Sequence, residues 1–257
     1  MAECQSALHA WGRANQVQFD ASKESFHVLS RIDPEGEDFK MLGVEWDTKL
    51  SMAREAEELA KRCYWKLKTV LRSQRFFIVP QLIQQYKSHV LPFLEAATPA
   101  LYHATNSVLK KVDKVQDAFL RGVGLTRETA LKKFKLAPLE TRRDIAMLGL
   151  VHRTVLGEGP PHFRAWFYTA VRTPAYNTRQ QARAHSQQLH DYVDGAHTEL
   201  LRRSALGLPS VYNKLPEKVV SRRTVKNFQK SLQELVLKAL REGKDDWATL
   251  LSPRVRL

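Results

Sequence analysis

The chain has 257 residues, of which 43% are hydrophobic and 26% charged, a composition typical of a globular protein. No apolar run approaches the roughly 18 residues that a membrane-spanning helix needs, and the N-terminal "MAECQSALHAWGR" lacks the basic start and apolar core of a secretory signal. Cys4 and Cys63 lack metal-ligand spacing and predict reduced thiols in an intracellular protein, with nucleus or cytoplasm left open.

The charge is distributed unevenly along the chain, whose formal net charge is +14. Residues 1–60 contain 6 Lys/Arg against 12 Asp/Glu, a net charge of −6, whereas residues 61–257 contain 35 against 15, a net charge of +20. A field of this sign attracts polyanions. We therefore expect nucleic acid as the partner, because its densely charged backbone releases counterions when cations bind it. The alternative is a solvated basic surface without a dedicated ligand.

Residues 1–50 are predicted to form the end of a helix followed by short strands. The helix covers residues 2–14, and hydrophobic residues then alternate with polar ones as in half-buried strands. The alternating residues are Val17, Phe19, Phe26, Val28 and Ile32. A turn over 33–38 leads to a strand from Phe39 to Trp46, in which Gly43 marks a bulge or a close backbone approach. Because two or three strands form only a marginal sheet, the segment is expected to continue a larger sheet upstream.

After Ser51 the hydrophobic period changes from 2 to 3.6, which predicts a mostly helical body. The predicted helices cover about 52–71, 80–90 with a stop at Pro92, 98–119 with an end at Gly122 or Gly124, 126–134, Pro138 to Val155, and Val225 to Leu240. The polar, Gln-rich stretch 174–195 is either an exposed helix or a linker. The predicted fold class is therefore α+β and predominantly α-helical, with a small sheet at the start.

Five groups of residues follow one another along the chain, each occurring once and in a characteristic order. They are Trp11, Asn15, Phe19, Asp20 and Lys23; Phe39 or Met41, Leu42, Gly43, Val44, Trp46 and Asp47; Tyr86, Ser88, Val90 and Pro92; Pro138, Leu139, Arg142 and Arg143; and "VYNKLPEKVV…VKNF" at 211–228. In order and spacing they resemble the end of the palm, the thumb and the connection of reverse transcriptases from non-LTR (LINE-type) retrotransposons. Asp20 stands where that family usually has Asn.

The resemblance implies three regions and a missing catalytic centre. Residues 1–50 would be a distal palm remnant with a small antiparallel sheet, 51–160 the helical thumb and connection, and 161–257 a basic C-terminal helical region. The family's aromatic-x-Asp-Asp hairpin comes earlier, and the chain has too little room for it before its first motif. The chain is thus expected to be an RNA-directed DNA polymerase fragment, inactive alone. Mg²⁺ belongs to the full-length family enzyme, and the missing upstream palm and fingers are an expected partner.

The resemblance also implies roles for individual residues. Lys23 would approach the incoming triphosphate as a general acid, the alternative being a solvent-facing lysine at a strand end. Leu42, Gly43 and Val44 would form a primer-grip hairpin, where glycine lets the backbone approach the primer; the alternative is a simple bulge. Basic thumb residues would contact the phosphates of the RNA template and RNA–DNA heteroduplex, although some only form a solvated face. They are Lys61, Lys66, Lys68, Arg72 and Arg75.

No metal site is predicted. The adjacent carboxylates Asp245 and Asp246 follow a helix beside Gly243, which predicts a helix-end turn, and the spacing of His185 and His190 is poor for metal ligands.

The alternative function, from a different class, is a non-catalytic nucleic-acid-binding or scaffold protein, either domesticated from such a transposable element or unrelated to it.

Overall fold

The computed structural model describes residues 2–20, 24–170, 185–193 and 199–254. These residues form a predominantly α-helical structure with one small antiparallel sheet, which confirms the predicted α+β class. None of the described helices is long and apolar enough to span a membrane. The elements are α1 (Ala2–Ala14), β1 (Phe39–Met41), β2 (Val44–Trp46), α2 (Ala53–Arg72), α3 (Val79–His89), α4 (Leu91–Ala96), α5 (Thr98–Leu101), α6 (Asn106–Gly122), α7 (Arg127–Phe134), α8 (Leu139–Val155), α9 (Glu199–Arg203), α10 (Leu208–Tyr212), α11 (Glu217–Val220) and α12 (Val225–Arg241).

The chain divides into two compact units, Met1–Leu50 (unit 1) and Ser51–Leu257 (unit 2). In unit 1, β1 and β2 form a hairpin in which Met41 is paired with Val44. The two turn residues, Leu42 and Gly43, have φ of 51° and 82°, and positive φ at both central positions is the requirement of a type I′ turn. The predicted single strand with a bulge at Gly43 is therefore wrong. The glycine supplies a turn conformation, since a Cβ atom there would meet nothing within 4 Å.

The strands predicted between residues 17 and 32 do not form in the described part of this segment. Val28 makes only an isolated antiparallel bridge with Glu35, through hydrogen bonds of 3.0 and 3.3 Å. Ile32, which the alternation placed on a buried face, is 97% exposed. Phe19 instead lies against Gly12 of α1, and its ring centroid is 5.4 Å from that of His9. Alternation of hydrophobic residues specifies a strand only where neighbouring strands complete the ladder and cover one face.

Unit 2 buries its hydrophobic residues among its helices. The hydrophobic stripe of α2 faces inward, with Cys63 and Leu67 fully buried, and Tyr86 of α3 stacks on Phe119 of α6 at a centroid distance of 4.2 Å. A separate cluster joins α8 to the C-terminal helices, with Leu148 and Phe228 both fully buried. Because this cluster contains residues from both 51–160 and 161–257, the two predicted regions share a core. The boundary between them near residue 160 stays a prediction.

Several predicted helices match the structure, and two predictions need correction. Helices α7, α8 and α12 have nearly the predicted bounds. The helix predicted over 98–119 is two helices, because Thr105 caps the start of α6 and accepts a hydrogen bond from Val108 N at 3.4 Å. Pro92 ends no helix but lies in the first turn of α4, where its missing N–H costs nothing. Of the predicted helix or linker over 174–195, residues 185–193 are described, and they contain no helix.

Candidate nucleic-acid interface

Helix α2 presents a basic face on the side opposite to its buried stripe. Residues seven positions apart lie on nearly the same side of a helix, which aligns Lys61 with Lys68 and Trp65 with Arg72. All four side chains are exposed. The predicted phosphate-binding residues Lys66 and Arg75 are exposed as well, the first toward α4 and the second in the 3₁₀ turn after α2. The sequence-predicted basic residues of the thumb thus lie along the outer surface of one helix and the turn that follows it.

A basic groove lies between α2 and α6. The two helices run in the same direction, since Glu57 pairs with Lys111 near their starts and Leu71 lies against Gly122 near their ends. The space between their outer edges is an open groove of about 470 Å³. Its lining residues are Glu57, Ala60, Lys61, Tyr64, Lys111, Lys114 and Arg121. The groove therefore has four cations and one carboxylate, a strong positive bias on a surface open to solvent.

Ion pairs leave part of this charge available. Lys61 pairs with Glu58 at 2.7 Å, and the hydrogen bond raises the pKa of Lys61 and lowers that of Glu58. A hydrogen bond from Lys111 likewise lowers the pKa of Glu57. Exposed pairs of this kind are weak and are screened by salt. Among the described residues, Lys114 and Arg121 have no carboxylate within ion-pair distance, so these two cations are available to an anionic ligand.

The α6 side of the groove contains residues that the sequence-based prediction missed. Lys111, Lys114 and Arg121 follow one another at intervals of three and seven residues, which places them along one edge of α6. The signal was present in the sequence, because these positions avoid the hydrophobic stripe of Leu109, Val112 and Val115. Recognising the groove also required knowing that α6 packs beside α2, and the pattern of one helix does not reveal its neighbour.

The residues expected at the primer and the triphosphate belong to unit 1. Leu42 and Gly43 form the tip of the β1–β2 hairpin, where Leu42 is 98% exposed, and Val44 is the half-buried first residue of β2. An exposed leucine at positive φ is an uncommon conformation. Lys23 lies outside the described residues. The structure therefore groups the predicted thumb cations on one surface of unit 2 and the predicted hairpin residues within unit 1.

The arginines that carried part of the resemblance have structural roles in unit 2. Arg142 Nε donates to Glu95 Oε1 at 2.5 Å, and Arg143 makes a two-pronged pair with Asp113 at 2.6 and 2.9 Å. These contacts join α8 to α4 and to α6. Planar guanidinium–carboxylate pairing of this kind fixes geometry as well as supplying energy. Arg143 is largely buried, so it holds the groove helix α6 in place and is not part of the solvent-exposed surface.

Asn213, from the last of the five motifs that carry the resemblance, holds the loop around Leu189 against the end of α10. Its side-chain oxygen accepts a hydrogen bond from Leu189 N at 2.8 Å, and its Nδ2 donates to Leu189 O at 2.9 Å. The Asn213 side chain thus forms hydrogen bonds with both backbone groups of Leu189, as a neighbouring strand would. The adjacent Tyr212 is fully buried, with its hydroxyl 2.9 Å from Nδ1 of His152.

The buried titratable groups of unit 2 are paired with neighbours and shifted by burial. Burial raises the pKa of Asp144 to about 7, although the hydroxyl of Tyr102 donates to it at 2.7 Å and favours ionisation. Burial lowers the pKa of His152, whose Nε2 lies 2.8 Å from the carbonyl of Arg222 and whose ring stacks on Phe228. His185 has a lowered pKa for the same reason. These groups are enclosed in the core and are not positioned to act on a ligand in the groove.

The described residues do not fit the two-metal chemistry that polymerases use. No group of three or more His, Cys, Asp or Glu within them could hold a metal ion. Asp245 and Asp246 are exposed in the turn that follows α12, as predicted. Polymerases need carboxylates that converge on two ions about 4 Å apart, and this turn has no such convergence.

The relation to known proteins depends on the motifs alone. Comparison with known proteins gives no match to a family model, to a curated protein or to a solved structure. The resemblance to LINE-type reverse transcriptases is carried by the order of five short motifs, and it stays a prediction.

Proposed function

We propose that this chain is the distal palm, thumb and connection part of a LINE-type reverse transcriptase, and that it grips an RNA template paired with a DNA primer. The observation that carries the proposal is the groove between α2 and α6, which presents Lys61, Lys111, Lys114 and Arg121 on one open surface. The net charge of +20 over residues 61–257 supports the same partner class. A surface of this sign attracts nucleic acid from a distance and releases its counterions on contact.

Binding through this groove would be independent of base sequence. Lysine and arginine side chains on helix surfaces contact phosphates, and such contacts position a duplex without reading its bases. The groove has no side-chain amide among its lining residues, and Asn and Gln are the usual readers of adenine. We therefore expect recognition of backbone charge and helix shape, with affinity that falls steeply as salt rises.

The described residues of this chain are not expected to add nucleotides by themselves. Nucleotide addition requires metal-bound carboxylates, and the described residues offer none. Within the full enzyme the hairpin with Leu42 and Gly43 would contact the primer, and the active site would come from the upstream palm. The chain would then bind its nucleic acid without extending it.

The test measures binding and extension on the same preparation. Heteroduplexes of two unrelated sequences should bind with equal affinity, and no primer should be extended with Mg²⁺ or Mn²⁺ present. Lys114→Glu should weaken binding of both by about tenfold, equal to about 1.4 kcal/mol, while Lys226→Glu on the exposed surface of α12 should not. Robust extension, or equal effects of the two variants, would overturn the proposal.

A second candidate function is a non-catalytic nucleic-acid-binding or scaffold protein, for which the same basic groove between α2 and α6 would serve. The two candidate functions differ in the stability that each requires of unit 1. A self-contained protein needs a unit 1 that is stable by itself, whereas a polymerase fragment needs further strands beside its hairpin.

A further inference from the structure

An exposed aromatic and basic surface adjoins the groove. Trp65 is 68% exposed and Phe76 is 70% exposed, and Phe93 of α4 is also exposed. We name the surface of Trp65, Phe76 and Phe93 with Lys66, Lys68 and Arg75 the stacking face. Large aromatic side chains are normally covered, and a group of exposed ones on one helix and the elements that follow it indicates an interaction site.

Each ring of the stacking face has a cation over it. Lys68 Nζ lies 4.7 Å from the Trp65 ring centroid, Arg75 Cζ 4.7 Å from that of Phe76, and Lys66 Nζ 3.9 Å from that of Phe93. These are cation–π distances. One side of each ring thus has a positive charge beside it, while much of the ring stays open to solvent.

The sequence segment that contains the stacking face has charges of one sign. Residues 59–94, which include all six residues of the face, contain seven Lys/Arg and no Asp or Glu. A ligand for this surface must therefore offer flat apolar groups to the rings and negative charge to the cations. Unpaired nucleotides offer both on every residue, because each base has a π-face and each linkage has a phosphate. Duplex bases are stacked on one another and cannot reach a surface ring.

We propose that the stacking face binds unpaired nucleotides of the nucleic acid whose duplex part occupies the groove. This inference rests on the proposed function, since it assigns a single-stranded extension to the same ligand. The two surfaces are continuous on α2, because Lys61 of the groove and Trp65 of the face are four residues apart and therefore neighbours on the helix. Lys68 and Arg72 extend the line by a further two turns, about 10 Å at 1.5 Å per residue.

The experiment compares a blunt RNA–DNA heteroduplex with the same duplex bearing a single-stranded RNA overhang, by fluorescence anisotropy at one salt concentration. We expect the overhang to tighten binding by about tenfold, within the range that base–aromatic stacking provides. Trp65→Ala should abolish that advantage and leave the blunt affinity unchanged, while Trp65→Phe should retain most of it. Trp166→Ala is the matched control, because Trp166 is an exposed tryptophan elsewhere in unit 2.

Four results would overturn the inference, and they are distinguishable. If Trp65→Ala leaves both affinities unchanged, the face does not bind the overhang. If it weakens the binding of blunt and overhang duplexes equally, Trp65 supports the groove and does not stack. If the native chain binds both duplexes equally and sedimentation shows a self-association that Trp65→Ala abolishes, the face is a protein interface. If neither duplex binds the native chain, the proposed function fails, and the inference fails with it.

Discussion

The two units of this protein differ in how they bury their hydrophobic residues. Unit 2 encloses large side chains completely, among them Tyr86, Phe119, Tyr212 and Phe228. In the described residues of unit 1 no hydrophobic side chain is buried, and the sheet is one hairpin of three-residue strands. Both segments are rich in hydrophobic residues, so composition does not explain the difference.

The difference shows how much a strand depends on its neighbours. An amphipathic helix satisfies its own backbone hydrogen bonds and needs only a surface on which to place one stripe. A strand needs a partner for its backbone as well as a cover for one face, and a hairpin alone is marginal. The described residues of unit 1 have the alternating pattern of a sheet, but only one two-stranded hairpin forms among them.

The largest expected effect compares one phenylalanine from each unit. Phe228 is fully buried between α8 and α12, so Phe228→Ala should reduce the free energy of unfolding by about 3–5 kcal/mol. Phe26 of unit 1 is exposed, so Phe26→Ala should change it by no more than about 0.5 kcal/mol. Urea unfolding followed by circular dichroism measures both.

A loss from Phe26→Ala that approached the loss from Phe228→Ala would contradict the comparison. It would mean that unit 1 has a core of its own, which the second candidate function requires and the first does not. A small effect at both positions would instead mean that the packing of α8 against α12 is not what stabilises unit 2.

A smaller effect concerns the pH dependence that Asp144 gives to unit 2. Burial raises its pKa from 3.8 to about 7, so between about pH 4 and pH 7 the folded state holds a proton that the unfolded state has released. The stability from this group is therefore largest at low pH and falls as pH rises through that range, by up to about 1.4 kcal/mol per pH unit. Asp144→Asn should remove this slope and keep an acceptor for Tyr102.

The measurement is the free energy of unfolding of both proteins at several pH values between about 5 and 7. The difference between them isolates Asp144, because the buried His152 and His185 have the opposite dependence in both proteins: their lowered pKa values make stability fall as pH drops. Parallel pH profiles for native and variant proteins would show that the carboxyl of Asp144 is ionised in the folded state.

The main helices could be predicted from the sequence, whereas the strands could not. A hydrophobic stripe such as that of α2, from Met52 to Val70, predicts both the helix and its buried face, and the structure confirms both. The alternation around Phe26 and Ile32 can form a strand only where a neighbouring strand pairs with it. Among the described residues of unit 1 the pairing of this stretch is limited to the bridge between Val28 and Glu35. The break between α5 and α6 depends on the N-cap at Thr105. The hydrophobic pattern continues on both sides of Thr105, so it predicted one helix where there are two.

The candidate site was predictable in part. The exposed cations of α2 follow from the helical period alone, since Lys61 and Lys68 lie opposite to the apolar stripe. Their partners across the groove, Lys114 and Arg121, depend on the packing of α2 beside α6. Long-range pairs such as Lys111 with Glu57 join the two helices, and no local pattern indicates which carboxylate a cation will find.

The most direct test of the central claim is the salt dependence of heteroduplex binding. The slope of log Kd against log salt reports the number of phosphates that the protein neutralises. Replacing Lys114 and Arg121 by Ala should reduce the magnitude of this slope by about two, because each lost phosphate contact reduces it by about one. Replacing the exposed Lys218 and Lys226 by Ala should leave it unchanged. If the groove variant keeps the native slope, the duplex does not lie between α2 and α6, and the account is contradicted.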